Sequence, residues 1–154
     1  ADVVRFFFIM RGINTHLEFD LSLAREQSDR NPVFYLQYAY ARMASILSNA
    51  AEKGIATNDT VDVTLLNHPA EYELIKTLQR FPEQIRRAAQ HLEPQMLVEY
   101  LREAASCFHT FYHDCPIMKA DESLRAARFG LLKIAKTVLH NGLTILGVSA
   151  PEKM

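Results

Sequence analysis

Apolar residues recur along most of this chain at intervals of three and four, the period of helices that bury one face. The sharpest case is Asn31 to Asn49, NPVFYLQYAYARMASILSN. At about 100° per residue, Val33, Leu36, Tyr40, Met43, Ala44 and Leu47 gather on one broad face, and Tyr35, Tyr38, Arg42, Ser45 and Asn49 lie roughly opposite. Asn31 is a strong N-cap residue and Pro32 a strong first helical residue, so the start of this helix is set by sequence. Gly54 suits the position just past its end, and the polar stretch to Asp62 reads as a surface loop tolerant of insertions.

Prolines punctuate the rest of the chain. Pro69 opens a helix that turns Leu74, Ile75, Leu78 and Phe81 inward, and Pro82 starts another that carries Ile85, Ala88 and Ala89. Pro94 opens a long helix whose Leu97, Leu101, Ala104, Phe108, Phe111 and Cys115 follow a 4-3-4-3-4 spacing, the seam of a packed helix pair, and Pro116 stops it. Asp121 or Glu122 begins the last long helix, with Leu124, Ala127, Leu131, Ala135, Val138 and Leu139 as its buried stripe. Arg125, Lys133, Lys136 and His140 gather on the far side, where such a line usually marks a solvated face. Asn141-Gly142 could bend that helix before the apolar run reaches Leu146.

The start of the chain is less regular. Ala1 to Met10 contains three successive phenylalanines that fit a buried helix or a buried strand equally. Leu17, Phe19, Leu21 and Leu23 alternate with Glu18, Asp20 and Ser22, which predicts an extended lead-in, followed by a short helix capped by Asp20 and running through Gln27. The polar residues Ser28 to Asn31 form a loop folded back over the start of the main helix.

With 154 residues, 49% of them hydrophobic, the chain can build one domain with a substantial core. Five glycines, six prolines and little β-branched alternation favour an all-α fold. Two cysteines and no segment able to act as a secretion signal or span a bilayer point to a reducing, soluble compartment, the cytoplasm. Ala1 stands where an initiator methionine would, which suggests a segment of a longer protein.

The net charge of −1 argues against a general nucleic-acid binder. Its distribution changes that picture. From Arg125 onward there are five basic residues against one acid, and the first 124 residues hold twelve basic against seventeen acidic. An acidic body with a basic end can bind one structured RNA while opposing indiscriminate binding to polyanions.

Cys107, His109, His113 and Cys115 supply the ligand types of a zinc site. On one helix, however, Cys107 and His109 lie about 200° apart and Cys107 and Cys115 about 80° apart, so the four cannot converge on one ion. No phosphate-binding glycine loop and no activated nucleophile is recognisable. The stripe of Tyr35, Tyr38 and Arg42 remains. Aromatic faces stack on unpaired bases and a guanidinium binds phosphate, which suits single-stranded nucleic acid; the alternative is that both tyrosines lie flat against a neighbouring helix.

The run Asn31 to Arg42, with Phe6 to Arg11 (FFFIMR) before it, resembles arginyl-tRNA synthetases where the catalytic domain ends and the helical anticodon-binding domain begins. Glu122 to Arg128 (ESLRAAR), Val138 to Gly142 (VLHNG) and Leu146 to Met154 (LGVSAPEKM) resemble the last helix and chain terminus of that family. The resemblance implies an all-α bundle of the class I synthetase anticodon-binding (DALR) type over residues 20–154, with residues 1–19 as the end of the catalytic domain. It implies a monomer whose partners are the anticodon stem-loop of tRNA(Arg) and its own catalytic domain, with no membrane.

By position, Tyr35, Tyr38 and Arg42 match the aromatic and basic residues facing the anticodon loop. Tyr112 matches a further aromatic position and Met154 the terminal methionine that reaches the anticodon, while Arg30 and Asn31 belong to a loop that moves when tRNA binds. Phe34 is expected to pack. The family's His-Ile-Gly-His-like and Lys-Met-Ser-Lys-like motifs are missing, so ATP with Mg belongs to the parent ligase's catalytic domain, and this segment is expected to hold no cofactor and catalyse nothing. A reading from another class is a helical protein-interaction module that docks on its own catalytic domain or a synthetase complex, aided by exposed Phe6 to Ile9.

Overall fold

The computed structural model describes residues 1–12, 21–28, 30–55, 57 and 61–154. Among them run seven α-helices and no strand: α1 (Asp2–Ile9), α2 (Leu21–Arg25), α3 (Pro32–Glu52), α4 (Pro69–Gln79), α5 (Phe81–His91), α6 (Gln95–Asp114) and α7 (Glu122–Ile145). The extended lead-in expected over Leu17 and Phe19 lies outside the described residues, and α2 stops two residues short of Gln27. No helix among the described residues is long and apolar enough to cross a membrane.

Local chemistry sets the helix ends. The Asn31 side-chain oxygen accepts from the Val33 and Phe34 amides, and its Nδ2 donates to the carbonyls of Ala24 and Glu26. One buried side chain therefore starts α3 and folds the preceding loop back over it. At the other end Gly54 takes φ +66°, and the amides of Gly54 and Ile55 reach back to Ala51 and Ala50, closing the carbonyls that the helix leaves open. His68 and Glu71 form a reciprocal capping box at α4, and Asp121 caps α7 through the Leu124 amide.

Helix α6 is the axle, touching α3, α4, α5 and α7. Its seam of Leu97, Leu101, Ala104, Phe108, Phe111 and Cys115 is buried throughout, as the spacing predicts. The inward residues of α4 behave likewise, with Leu74 and Leu78 buried and Ile75 half-buried; Phe81, expected on the same helix, is buried as the first residue of α5, and Ala89 on α5 faces solvent.

Helix α7 corrects two expectations. Besides Ala127, Leu131, Ala135, Val138 and Leu139, it buries Phe129, Leu132 and Leu143 on the side expected to be solvated. Of the basic line only His140 is exposed; Arg125, Lys133 and Lys136 are half-buried, and Lys133 Nζ donates to the Thr57 carbonyl at 2.6 Å. The helix runs on through Asn141-Gly142 to Ile145. Gly142 faces α6, where a Cβ would stand 2.8 Å from Leu101 Cδ1.

The N-terminal phenylalanines also sort differently from the expectation. They form a helix in which Phe6 and Phe7 are buried and Phe8 is 61% exposed, next to exposed Val4 one turn earlier.

Candidate nucleic-acid interface

Helical phase and the α3–α6 contact together build a row of rings. Phe34 stacks on Tyr38 (centroids 6.1 Å apart, planes 11°), Tyr38 on His109 (6.3 Å, 22°), and His109 meets Tyr35 at 5.4 Å. The row continues on α6 through Phe108 to Tyr112, whose ring lies 5.2 Å beneath the Arg42 guanidinium. Arg42 Nη2 also reaches the Tyr112 hydroxyl at 3.5 Å. The charge over that ring is a cation–π contact, and no ion pair among the described residues involves Arg42. Its charge therefore remains available to an incoming anion.

The two readings of the tyrosines are thus both partly met. Tyr38 is 39% exposed on the outer face, while Tyr35 and Tyr112 are half-buried, each with one flank against a neighbouring ring. Phe34, expected to pack, is half-buried against Tyr38. Of the four residues of zinc-ligand type, His109 turns into the ring row, His113 is exposed beside Asp114, Cys107 turns towards Thr77 on α4, and Cys115 is buried. No helical periodicity could have found His109, because only the docking of α6 on α3 gives it a place between two tyrosines.

Asn31 is not surface for a ligand. It is buried and both polar atoms are used in the cap, so a contact with RNA would require this loop to rearrange. Arg30 is exposed, with a long contact of 3.9 Å to Glu26.

Met154 stands exposed at the end of a tail fixed in two places. At the first, the Asp2 carboxylate accepts from the Ser149 amide at 3.0 Å and from its hydroxyl, and Gln37 Nε2 donates to the Ser149 carbonyl at 3.0 Å. At the second, Lys136 Nζ donates to Glu152 Oε1 at 2.8 Å while lying 5.3 Å from the centre of the Tyr40 ring, which itself packs on His140. The Ser149 hydroxyl holds the Asp2 carboxyl below its ordinary pKa, and the Lys136 ammonium does the same for Glu152. Burial is the largest single influence on Lys136 and works against its charge, but the bond to Glu152, the Glu152 charge and the Tyr40 side chain together outweigh it, and its pKa is raised.

A floor of rings edged by a guanidinium without an ion-pair partner among the described residues can stack bases and neutralise phosphate. Comparison with known proteins agrees in kind. The chain is 51% identical over its whole length to the arginine–tRNA ligase of Salinibacter ruber, and 48% identical to that of Chlorobaculum tepidum. It spans 27% and 28% of their lengths, just over a quarter. The arginyl-tRNA synthetase of Thermus thermophilus superposes on 99% of the chain with a TM-score of 0.86 at 29% identity, using 26% of its own chain. The profile of the DALR anticodon binding domain matches residues 36–154, which take in every helix from α4 onward and most of α3, and the chain belongs to that family.

Proposed function

We propose that this chain is the anticodon-loop-binding domain of a cytoplasmic arginine–tRNA ligase, and that the outer face of α3 with the adjoining face of α6 receives the loop of tRNA(Arg). The observation that carries this is the ring row from Phe34 to Tyr112 with Arg42 over its end. Stacking one base on such a ring is worth about 1–3 kcal/mol, enough for a few nucleotides to hold a loop open. Tyr38 offers the exposed ring of the row, Tyr35 and Tyr112 offer edges and hydroxyls, and Arg42 takes a backbone phosphate. Met154 ends the tail that Ser149 ties to Gln37 of α3, and Arg30 lies at the loop before the helix. Residues 1–19 belong on this reading to the end of the catalytic domain and residues 20–154 to the RNA-binding unit. Arginine activation, with its ATP and Mg, takes place in the catalytic domain, and this chain contributes affinity and choice of tRNA.

Filter-binding titrations of the chain with tRNA(Arg) and a non-cognate tRNA test the proposal. Tighter binding of the cognate, weakening as salt rises, is expected; equal and salt-insensitive failure to bind either would remove it. A second reading, docking onto the rest of such a ligase, is favoured by one feature, the exposed pair Val4 and Phe8 on α1. The two are compatible, since α1 meets α3 on a different side from α6.

A further inference from the structure

We propose that the Lys136–Glu152 pair is a latch that makes the C-terminal tail the second wall of the RNA site, with both residues acting as positioning residues for Met154. This rests on the interface proposed above. With Tyr35 as the origin and about 100° per residue, Arg42 lies near 340°, Tyr38 near 300°, Phe34 near 260°, Gln37 near 200° and Tyr40 near 140°. The α6 side of the outer face is therefore marked by Tyr35 and Arg42, and the tail touches the other side, at Gln37 through Ser149 and at Tyr40 through Lys136 and Glu152. Rings of α6 edge the floor on one side and the tail edges it on the other.

The two attachments hold the tail at both ends of its last turn before Met154. Ser149 is held by Gln37, and Glu152 by Lys136, whose ammonium lies over the ring of Tyr40 one turn further along α3. The chain bends at Glu152, and Met154 follows two residues later, within about 7 Å of that anchor. Met154 is 57% exposed, as a residue waiting for a partner would be.

The latch has little to offer folding. Glu152 is exposed and the pair lies at the surface, where ion pairs contribute little stability. What it removes is the freedom of the chain end, a cost that binding would otherwise meet. Lys136 is well prepared for this, because its ammonium is held over the Tyr40 ring and its stem is largely covered.

Electrostatics and the latch predict opposite signs for one substitution. Glu152→Gln takes a negative charge away from an RNA site, so charge alone would tighten binding. Loss of the latch should instead weaken binding of tRNA(Arg) by about 2- to 10-fold, the cost of ordering a side chain or two again. The thermal midpoint should stay where it was. Deleting Met154 should weaken the parent chain and have no further effect in Glu152→Gln, and the exchange of Lys136→Glu with Glu152→Lys should recover part of the loss. Unchanged or tighter binding by Glu152→Gln, with Tyr38→Ala still damaging, overturns the latch alone. Unchanged binding by both variants overturns the interface, and the latch with it.

Discussion

Glu71 is fully buried, and every part of its carboxylate is used: Oε1 pairs with Arg128 Nε at 2.7 Å and Oε2 accepts the His68 amide at 2.9 Å. The residue thus starts α4 and joins it to α7, beside the Cys115 thiol, whose pKa burial pushes up to about 11 with Glu71 adding to the effect. Glu71→Ala would strand the Arg128 guanidinium, which is only 12% exposed, as a buried charge without its partner. The expected loss is about 3–5 kcal/mol in urea unfolding; a change below about 1 kcal/mol would show that solvent compensates Arg128. Fifty-seven residues separate the pair, and nothing in the local pattern of either residue announces the other. The same is true of His109 against Tyr35 and Tyr38. Tyr38 and Arg42, by contrast, were legible, because their exposure follows from the phase of one helix whose first residue is set by Asn31 and Pro32.

Periodicity read the helices best where each has one covered side. The α6 seam and the start of α3 came directly from spacing and proline position, and α7 did not. Phe129, Leu132 and Leu143 share the side of Arg125, Lys133 and Lys136, so the covered arc of this helix is much wider than one stripe and leaves only the side of Ile134, Thr137, His140 and Asn141 to solvent, and its lysines reach past the covering groups to a carbonyl and a carboxylate. A single stripe was the wrong template for a helix packed against α3, α4 and α6. At Gly142 the two helices α6 and α7 pack so that Leu101 fills the space that a Cβ would take. Gly142→Ala gains up to about 1 kcal/mol of helix propensity and loses about 1–3 kcal/mol to overpacking of a fully buried leucine. Net destabilisation in thermal unfolding is therefore expected, and a variant more stable than the parent would show that Leu101 has room to move.

On the scale of the whole molecule, the two ends of the chain meet. Asp2 holds Ser149, Gln37 of α3 holds the same residue, and Lys136 of α7 holds Glu152, so the start, the main helix and the tail form one assembly around the outer face of α3. That assembly could not be read from the sequence, since it depends on three helices and two termini arriving together; only the importance of Met154 was suggested, by resemblance. The acidic remainder of the surface complements it by discouraging RNA elsewhere. Whether this face and no other takes the anticodon loop is tested most directly by two tyrosines of different placement. Tyr38 is 39% exposed within the ring row, and Tyr72 is 53% exposed on α4, away from it. In titrations with the tRNA(Arg) anticodon stem-loop, Tyr38→Ala should cost about 1–3 kcal/mol of binding, Tyr72→Ala should cost nothing measurable, and both variants should keep the parent thermal midpoint. Equal effects on binding, or a Tyr38→Ala chain that melts early, would contradict the placement of the RNA on this face.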